Sequence, residues 1–272
     1  MANPHPPRQR SGTISIGGQE ITVNVNLDAK KAKGPIHLGG GEKLPEGIVD
    51  ARTQQDMHMS VAGESSSSFS NPKQNAYRLG FKEGMKVADL GSGSGAYTSV
   101  LSDVVGTTGV VYAVDVQRDL LTRIQNNATR EGKENIEIIW GDMEGENGVG
   151  IKDELLDGVL LSNTLFQVDD KIAVLKEAWR LLRPGGTLAV IEWKDSFGGL
   201  GPAQNMVVTQ AEATLLCTDN GFALRSDFKA GEHHYGLVFI KMVAGETDKE
   251  VLANTHKKED NFISHTIAQE LI

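Results

Sequence analysis

Cysteine is nearly absent: Cys217 is the one thiol in 272 residues. One thiol excludes an intramolecular disulfide and a cysteine-built zinc or iron–sulfur site, so Cys217 reads as a small apolar residue inside a helix. Positive charge is in deficit, with 27 Lys and Arg against 36 Asp and Glu and a net charge of −9. A chain that grips long nucleic acid neutralises phosphates with a basic face, and this balance weighs against such a partner. No run approaches the ~20 apolar residues that span a bilayer. The first ten residues carry Arg8 and Arg10 with no apolar stretch after them, so no secretory signal is expected and the expected compartment is the cytoplasm. What is present is enough for a core: 39% of residues are hydrophobic and 23% charged, the proportions of a globular α/β domain with extensions.

The chain divides into three stretches. Residues 1–68 form an extension, with a disordered start expected over Met1–Arg10. Thr13–Ile16 and Ile21–Leu27 alternate apolar and polar residues around Gly17-Gly18, which predicts a hairpin. Lys30–Gly47 has the Gly and Pro content of a linker, and a serine run fills Ser65–Ser68. A lone hairpin is at best marginally stable. Residues 69–243 then alternate short β-rich runs (Val87–Leu90, Val110–Asp115, Ile136–Trp140, Gly158–Ser162, Thr187–Trp193) with helical patterns near Ala96–Val105, Arg118–Glu131 and Lys171–Leu182. Arg183-Pro184-Gly185-Gly186 is expected to stop the last of these and turn the chain into a strand. This order predicts a parallel sheet covered by helices on both faces. Ala203–Asn220 reads as a further helix. Phe222–Phe228 and Tyr235–Met242 are joined by too few residues for a parallel crossover, so that pair is antiparallel. The tail, 244–272, is polar and expected to be helical in part.

The chemistry lies at strand ends. Residues 87–95, VADLGSGSG, read as a strand, a glycine turn and a helix start, with the turn open to a ligand's close approach. Asp89 stands where a carboxylate would repel pyrophosphate but accept a hydrogen bond from a cationic amino acid. Asp115 ends the next strand about 20 residues on, where an acid grips ribose hydroxyls; it equally fits a helix N-cap. Asp142 suits an exocyclic amine and Met143 offers a soft face to a base, although Asp142 also reads as a surface-turn residue. Asn163 follows the fourth strand. All these positions fall at the carboxyl edge of a parallel sheet, where ligands bind.

Together, VADLGSGSG, the acid after strand two, the Gly141-Asp142-Met143 turn and LLRPGGTLAVIEWK resemble the successive motifs of class I S-adenosylmethionine (SAM)-dependent methyltransferases. IEWKDSFGGLGP and HHYGLVFIKM are similar to the methyltransferase type 11 group, related to ubiquinone/menaquinone-biosynthesis methylases. The resemblance implies a Rossmann-like, doubly wound, mostly parallel seven-stranded sheet of order 3-2-1-4-5-7-6 with the last strand antiparallel. It implies SAM held by Asp89, Gly91, Ser92, Gly93 and Gly95 at the methionine end, by Asp115 and Val116 around the ribose, by Asp142 and Met143 at the adenine, and by Asn163 beside the sulfonium.

On the acceptor side, His233, His234 and Tyr235 follow the last turn on the same edge and are candidates for the proton-handling group; the histidines also read as solvated turn residues and Tyr235 as a packing residue. Glu192, Lys194 and Asp195 end strand five nearby, and Glu192 with Lys194 also reads as a surface pair. Phe69-Ser70-Asn71-Pro72 is placed to cover the pocket. Asn163-Thr164-Leu165-Phe166 lacks the Asn-Pro-Pro-aromatic pattern of amino-directed methylases, and one cysteine does not meet the multi-cysteine requirement of arsenic methylases. The expected function is methyl transfer to a small molecule. Two alternatives stay open: a tRNA methyltransferase, since the FSNP…GMKVADLGSGSGAYT region is reminiscent of tRNA adenine-N1 methylases, and a non-catalytic SAM-binding protein. A dehydrogenase fits least, because the G-x-G-x-x-G spacing is missing.

Overall fold

A computed structural model of the chain describes residues 70–243, together with the backbone of two strands near the start. Those strands, β1 (Gln9–Ile16) and β2 (Gln19–Asn26), pair antiparallel with Ile16 opposite Gln19. This is the expected hairpin, longer in its first strand than alternation predicts. The expectations for residues 1–8, the linker, the serine run and the tail fall outside the described residues.

The main body opens with a short helix, α1 (Pro72–Ala76), capped by Asn71, whose side-chain oxygen accepts from the Gln74 amide. There follow β3 (Lys86–Leu90), α2 (Ala96–Val105), β4 (Val110–Asp115), α3 (Arg118–Glu131), β5 (Ile136–Trp140), β6 (Leu156–Ser162), α4 (Lys171–Leu181), β7 (Leu182–Trp193), α5 (Gln210–Asp219), β8 (Phe222–Lys229) and β9 (His234–Lys241). The seven strands β3–β9 form one sheet in the order β5-β4-β3-β6-β7-β9-β8, which is 3-2-1-4-5-7-6 counted from β3. Strands β3 to β7 pair in parallel. The last strand, β9, inserts antiparallel between β7 and β8.

Alternating side chains of each central strand feed two apolar layers. Ala88, Leu90, Val159 and Leu161 pack with α4 and α5 on one face. Val87, Val111, Leu160 and Ala189 pack with α2 and α3 on the other. Cys217 is wholly buried within α5, the small apolar role its isolation implies.

Two local expectations differ from the structure. Arg183–Gly186 is not the turn before β7 but a bulge inside it: Leu182 already pairs with Leu156, and pairing resumes at Thr187 opposite Gly158. Gly185, at φ +73°, permits the four-residue detour. Helix α5 begins at Gln210 rather than Ala203, because Thr209 and Glu212 form a reciprocal capping box that starts it there.

Candidate functional site

The parallel strands end along one edge, and the first loop there is the glycine turn. The Gly91 and Ser92 amides both donate to the Val114 carbonyl, at 2.8 and 2.9 Å, drawing the turn over β4. Gly91 has φ +76°, and a Cβ on it would stand 2.9 Å from Thr164 Oγ1; Gly95 has φ +82°, and its Cβ would stand 2.7 Å from Ile124 Cγ1. Left-handed backbone and close packing thus both require glycine at these two positions. The Asp115 carboxylate locks the turn from below: Oδ2 accepts from the Gly93 amide at 2.9 Å and Oδ1 from the Gln117 amide at 2.8 Å. The N-cap of α3 is Gln117, not Asp115.

A cavity opens above this turn. It is lined by Asp89, Gly91, Ser92 and Gly93 on one side, by Asn163, Phe166 and Gln167 from the β6–α4 loop, and by Tyr97, Trp193, Leu200 and His234 across from them. Asp89 is 2% exposed. Burial raises its pKa to about 6 against a hydrogen bond from the Thr98 hydroxyl at 2.6 Å, with the neighbouring Asp115 charge pushing the same way as burial. Ser92 Oγ and Asn163 Oδ1 are buried with no hydrogen-bond partner in the protein. Asn163 holds φ +53°, an uncommon conformation for a residue with a side chain. A buried acid and two unpaired polar atoms around one cavity are the donor set of a site built for a polar ligand.

The structure thus brings Asp89, Gly91, Ser92, Gly93, Asn163 and His234 to one cavity, and leaves seven predicted residues off its wall. Gly95 packs on Ile124. Asp115 lies under the turn, as described. Met143 is 6% exposed, in the apolar layer with Leu165. Asp142 is exposed and closes its own turn on the Glu144 amide. Val116 is exposed, its carbonyl accepting from Trp140 Nε1 at 3.0 Å. Tyr235 points to the opposite apolar layer, where its hydroxyl donates to the Val208 carbonyl at 2.8 Å; strand alternation sends it away from the face that His234 shares. His233 sits behind the wall, its Nδ1 2.8 and 3.0 Å from the two Asp195 oxygens and its ring 3.9 Å from that of Phe197. His234 itself is 1% exposed and faces its cross-strand partner Trp193 at 4.1 Å between ring centroids. His234 is thus a buried strand residue, while His233 lies in the bend before β9, partly exposed and held by Asp195. Glu192 is no surface group: it is fully buried.

The ubiE/COQ5 methyltransferase family matches residues 72–197, which carry the glycine turn and the β6–α4 loop. The SAM-dependent methyltransferase structure from Aquifex aeolicus aligns with 72% of this chain and 100% of its own, at a TM-score of 0.63 and 25% identity. This chain belongs to the class I SAM-dependent methyltransferases, and is ubiE/COQ5-like. Among curated relatives, this chain is 38% identical over 111 residues to the arsenite methyltransferase of Aquipseudomonas alcaligenes, covering 39% of this chain and 32% of that one. It is 33% identical over 117 residues to the demethylmenaquinone methyltransferase of Lactococcus lactis, covering 42% of this chain and 44% of that one. The chain therefore spans about a third to a half of the length of these relatives.

The cavity has walls that strand-end reasoning missed. Tyr97, Phe166, Gln167, Trp193 and Leu200 line the cavity, and none carries a spacing signal. Ser70 and Pro72 do line it, as the position of that segment before the domain suggests. They are held by a buried relay: Tyr97 Oη and Ser70 Oγ share a 2.7 Å hydrogen bond, and Asn75 Nδ2 donates to both and to the Ala230 carbonyl. No helix among the described residues is long and apolar enough to cross a membrane, and none of their His, Cys, Asp and Glu side chains cluster as a metal site.

Proposed function

We propose that this chain transfers a methyl group from SAM to a small, uncharged acceptor held in the cavity over the glycine turn. The observation that carries the reading is the pairing of buried Asp89 with the unpartnered Ser92 and Asn163 side-chain atoms on one cavity wall. SAM supplies an electrophilic methyl on a sulfonium, so the protein has to bind, align and exclude water. Asp89 accepts the ammonium of the methionine end. The amides of the glycine turn and the Ser92 hydroxyl stand beside its carboxylate. Asn163 faces the sulfonium side. Asp115 already anchors the turn, and its reach to the ribose runs alongside that role; Val116, Asp142 and Met143 border the adenine end.

The acceptor side is aromatic, with Phe166, Trp193 and Tyr97, and among the described residues no Lys or Arg lines the cavity. An anionic acceptor or an RNA phosphate would meet no charge partner among those residues. Cys217 is buried away from the cavity and its thiol pKa is pushed well up by burial, so it offers no soft thiolate to hold arsenic. His234 is the group on the wall that can take the acceptor's proton, and His233, oriented by Asp195, stands one residue away.

Calorimetric titration with SAM and S-adenosylhomocysteine, repeated on Asp115→Ala, tests the cofactor, and labelled-methyl transfer into small-molecule and RNA fractions tests the acceptor. We expect micromolar binding of both ligands, weakened in the variant, and label in the small-molecule fraction. His234→Phe should keep S-adenosylhomocysteine binding while lowering transfer by on the order of 10²-fold. Label confined to RNA would replace this reading with the RNA one; binding with no transfer would favour a non-catalytic SAM-binding protein.

A further inference from the structure

Glu192 is the penultimate residue of β7, its side chain on the face opposite the cavity, beside its cross-strand partner Tyr235. It is 0% exposed. Its Oε1 accepts from the Leu165 amide at 2.6 Å, while Oε2 has no hydrogen-bond partner in the protein. Burying a carboxylate is costly unless the geometry it secures matters, and Tyr235 does not relieve it, since that hydroxyl is committed to the Val208 carbonyl.

What the carboxylate secures is a turn. Residues 163–167 leave β6 with Asn163 in left-handed backbone at φ +53°. Three of its hydrogen bonds reach β3 and β7: the Asn163 amide donates to the Ile191 carbonyl at 2.8 Å, the Thr164 hydroxyl donates to the Leu90 carbonyl at 3.2 Å, and the Leu165 amide donates to Glu192. The first two fix its start against β7 and β3. Only the third is made by a side chain of β7, and it falls midway between Asn163 and the pair Phe166–Gln167, the three residues the turn presents to the cavity. At 2.6 Å this bond to a backbone amide is short, and it braces the turn from behind.

We propose that Glu192 is a positioning residue: through the Leu165 amide it holds the 163–167 turn so that the Asn163 side-chain carbonyl and the Phe166 ring face the ligand in the cavity. The proposal rests on the cavity being the SAM site only for its binding readout. The role itself concerns the ligand-free chain.

The experiment compares the full chain with Glu192→Gln, which keeps an acceptor oxygen at the same reach, with Glu192→Leu, which has none, and with Glu192→Asp, which keeps the charge but falls short of Leu165. Amide hydrogen exchange across 163–167 is measured without ligand, and S-adenosylhomocysteine affinity by calorimetry. Glu192→Leu and Glu192→Asp should each exchange faster at the turn and bind about tenfold more weakly, the loss of one buried hydrogen bond. Glu192→Gln should rescue both to within about threefold. Should Glu192→Leu not fold, Glu192→Asp carries the comparison. Turn exchange and affinity equal to the parent in the short or apolar variant would overturn the proposal, as would a Gln variant as impaired as Leu. If the parent binds no S-adenosylhomocysteine, the cofactor reading falls, and the exchange data still decide the role of Glu192.

Discussion

Asp89 shows how much one buried carboxylate can couple. With a pKa raised to about 6 by burial, it is largely protonated in acid and cannot then accept an ammonium. Ligand affinity should therefore fall by about tenfold per pH unit below 6, and binding at pH 6 should release a proton. Calorimetry in buffers of different ionisation enthalpy measures that proton directly, and Asp89→Asn should abolish both effects; affinity flat from pH 5 to 7 would remove Asp89 from the ammonium. Gly95 makes a contrasting case. Its φ of +82° and the 2.7 Å approach of a Cβ to Ile124 concern packing of the turn on α3, not the cavity wall. Gly95→Ala should cost roughly 1–3 kcal/mol of stability, read as a lower thermal midpoint, with ligand affinity changing less than in an Asp89 variant. A glycine pattern read from sequence assigns Gly91, Gly93 and Gly95 one common role, whereas the fold divides it.

Elements are set by caps and interruptions as much as by periodicity. Helix α5 begins where Thr209 and Glu212 close a capping box, and the preceding residues, though adjacent to a helical pattern, do not join it. Thr209→Ala should lower stability by about 1 kcal/mol; chemical denaturation measures it, and an unchanged midpoint would show that tertiary packing alone starts the helix. The bulge at Arg183–Gly186 follows the same logic in a strand. Pro184 and Gly185 mark a break in the sequence, yet Leu182 has already joined β6 before it. A turn signal locates irregular backbone and leaves open which element it interrupts. Strand β9 is the clearest element-level surprise. Its terminal lysine lies inside: Lys241 is 1% exposed, donating to the Leu182 carbonyl at 2.6 Å with its ammonium 3.7 Å from the centre of the Trp179 ring.

At the scale of the whole molecule, two buried acids shape the dependence of stability on pH. Asp89 and Glu192 have folded pKa values raised to about 6 and about 7, chiefly by burial. For Glu192 the Leu165 and Thr164 amides and the Lys171 charge oppose that rise, and Tyr235 is its cross-strand neighbour. Groups with a raised folded pKa bind more protons folded than unfolded, so their stability contribution is complete below the unfolded pKa and is lost as pH rises through the folded value. The ligand-free protein should therefore lose stability between about pH 4 and 7 on account of these two groups, with Glu192 responsible for about 3 kcal/mol. Glu192→Gln should flatten that slope and leave the variant more stable than the parent at pH 8; parallel curves for the two proteins would mean that Glu192 titrates normally.

The sequence by itself determined the order and type of the strands and helices from β3 onward, the antiparallel final pair and the edge at which the acidic and amide residues gather. Apolar alternation, glycine at positive-φ turns and the shortness of the last connection are local properties, and local properties are legible in a single chain. Tertiary structure decided which of those residues face the cavity and which lie beneath it. Asp89 and Asp115 both end adjacent parallel strands, yet the turn of the glycine loop over β4 places Asp115 under the backbone and leaves Asp89 on the wall. His234 and Tyr235 are consecutive, and strand alternation sends them to opposite layers. The burial of Glu192 and Lys241 was hidden for the same reason: it depends on which helices and loops close over a strand end, and that is fixed by packing between segments far apart in the chain.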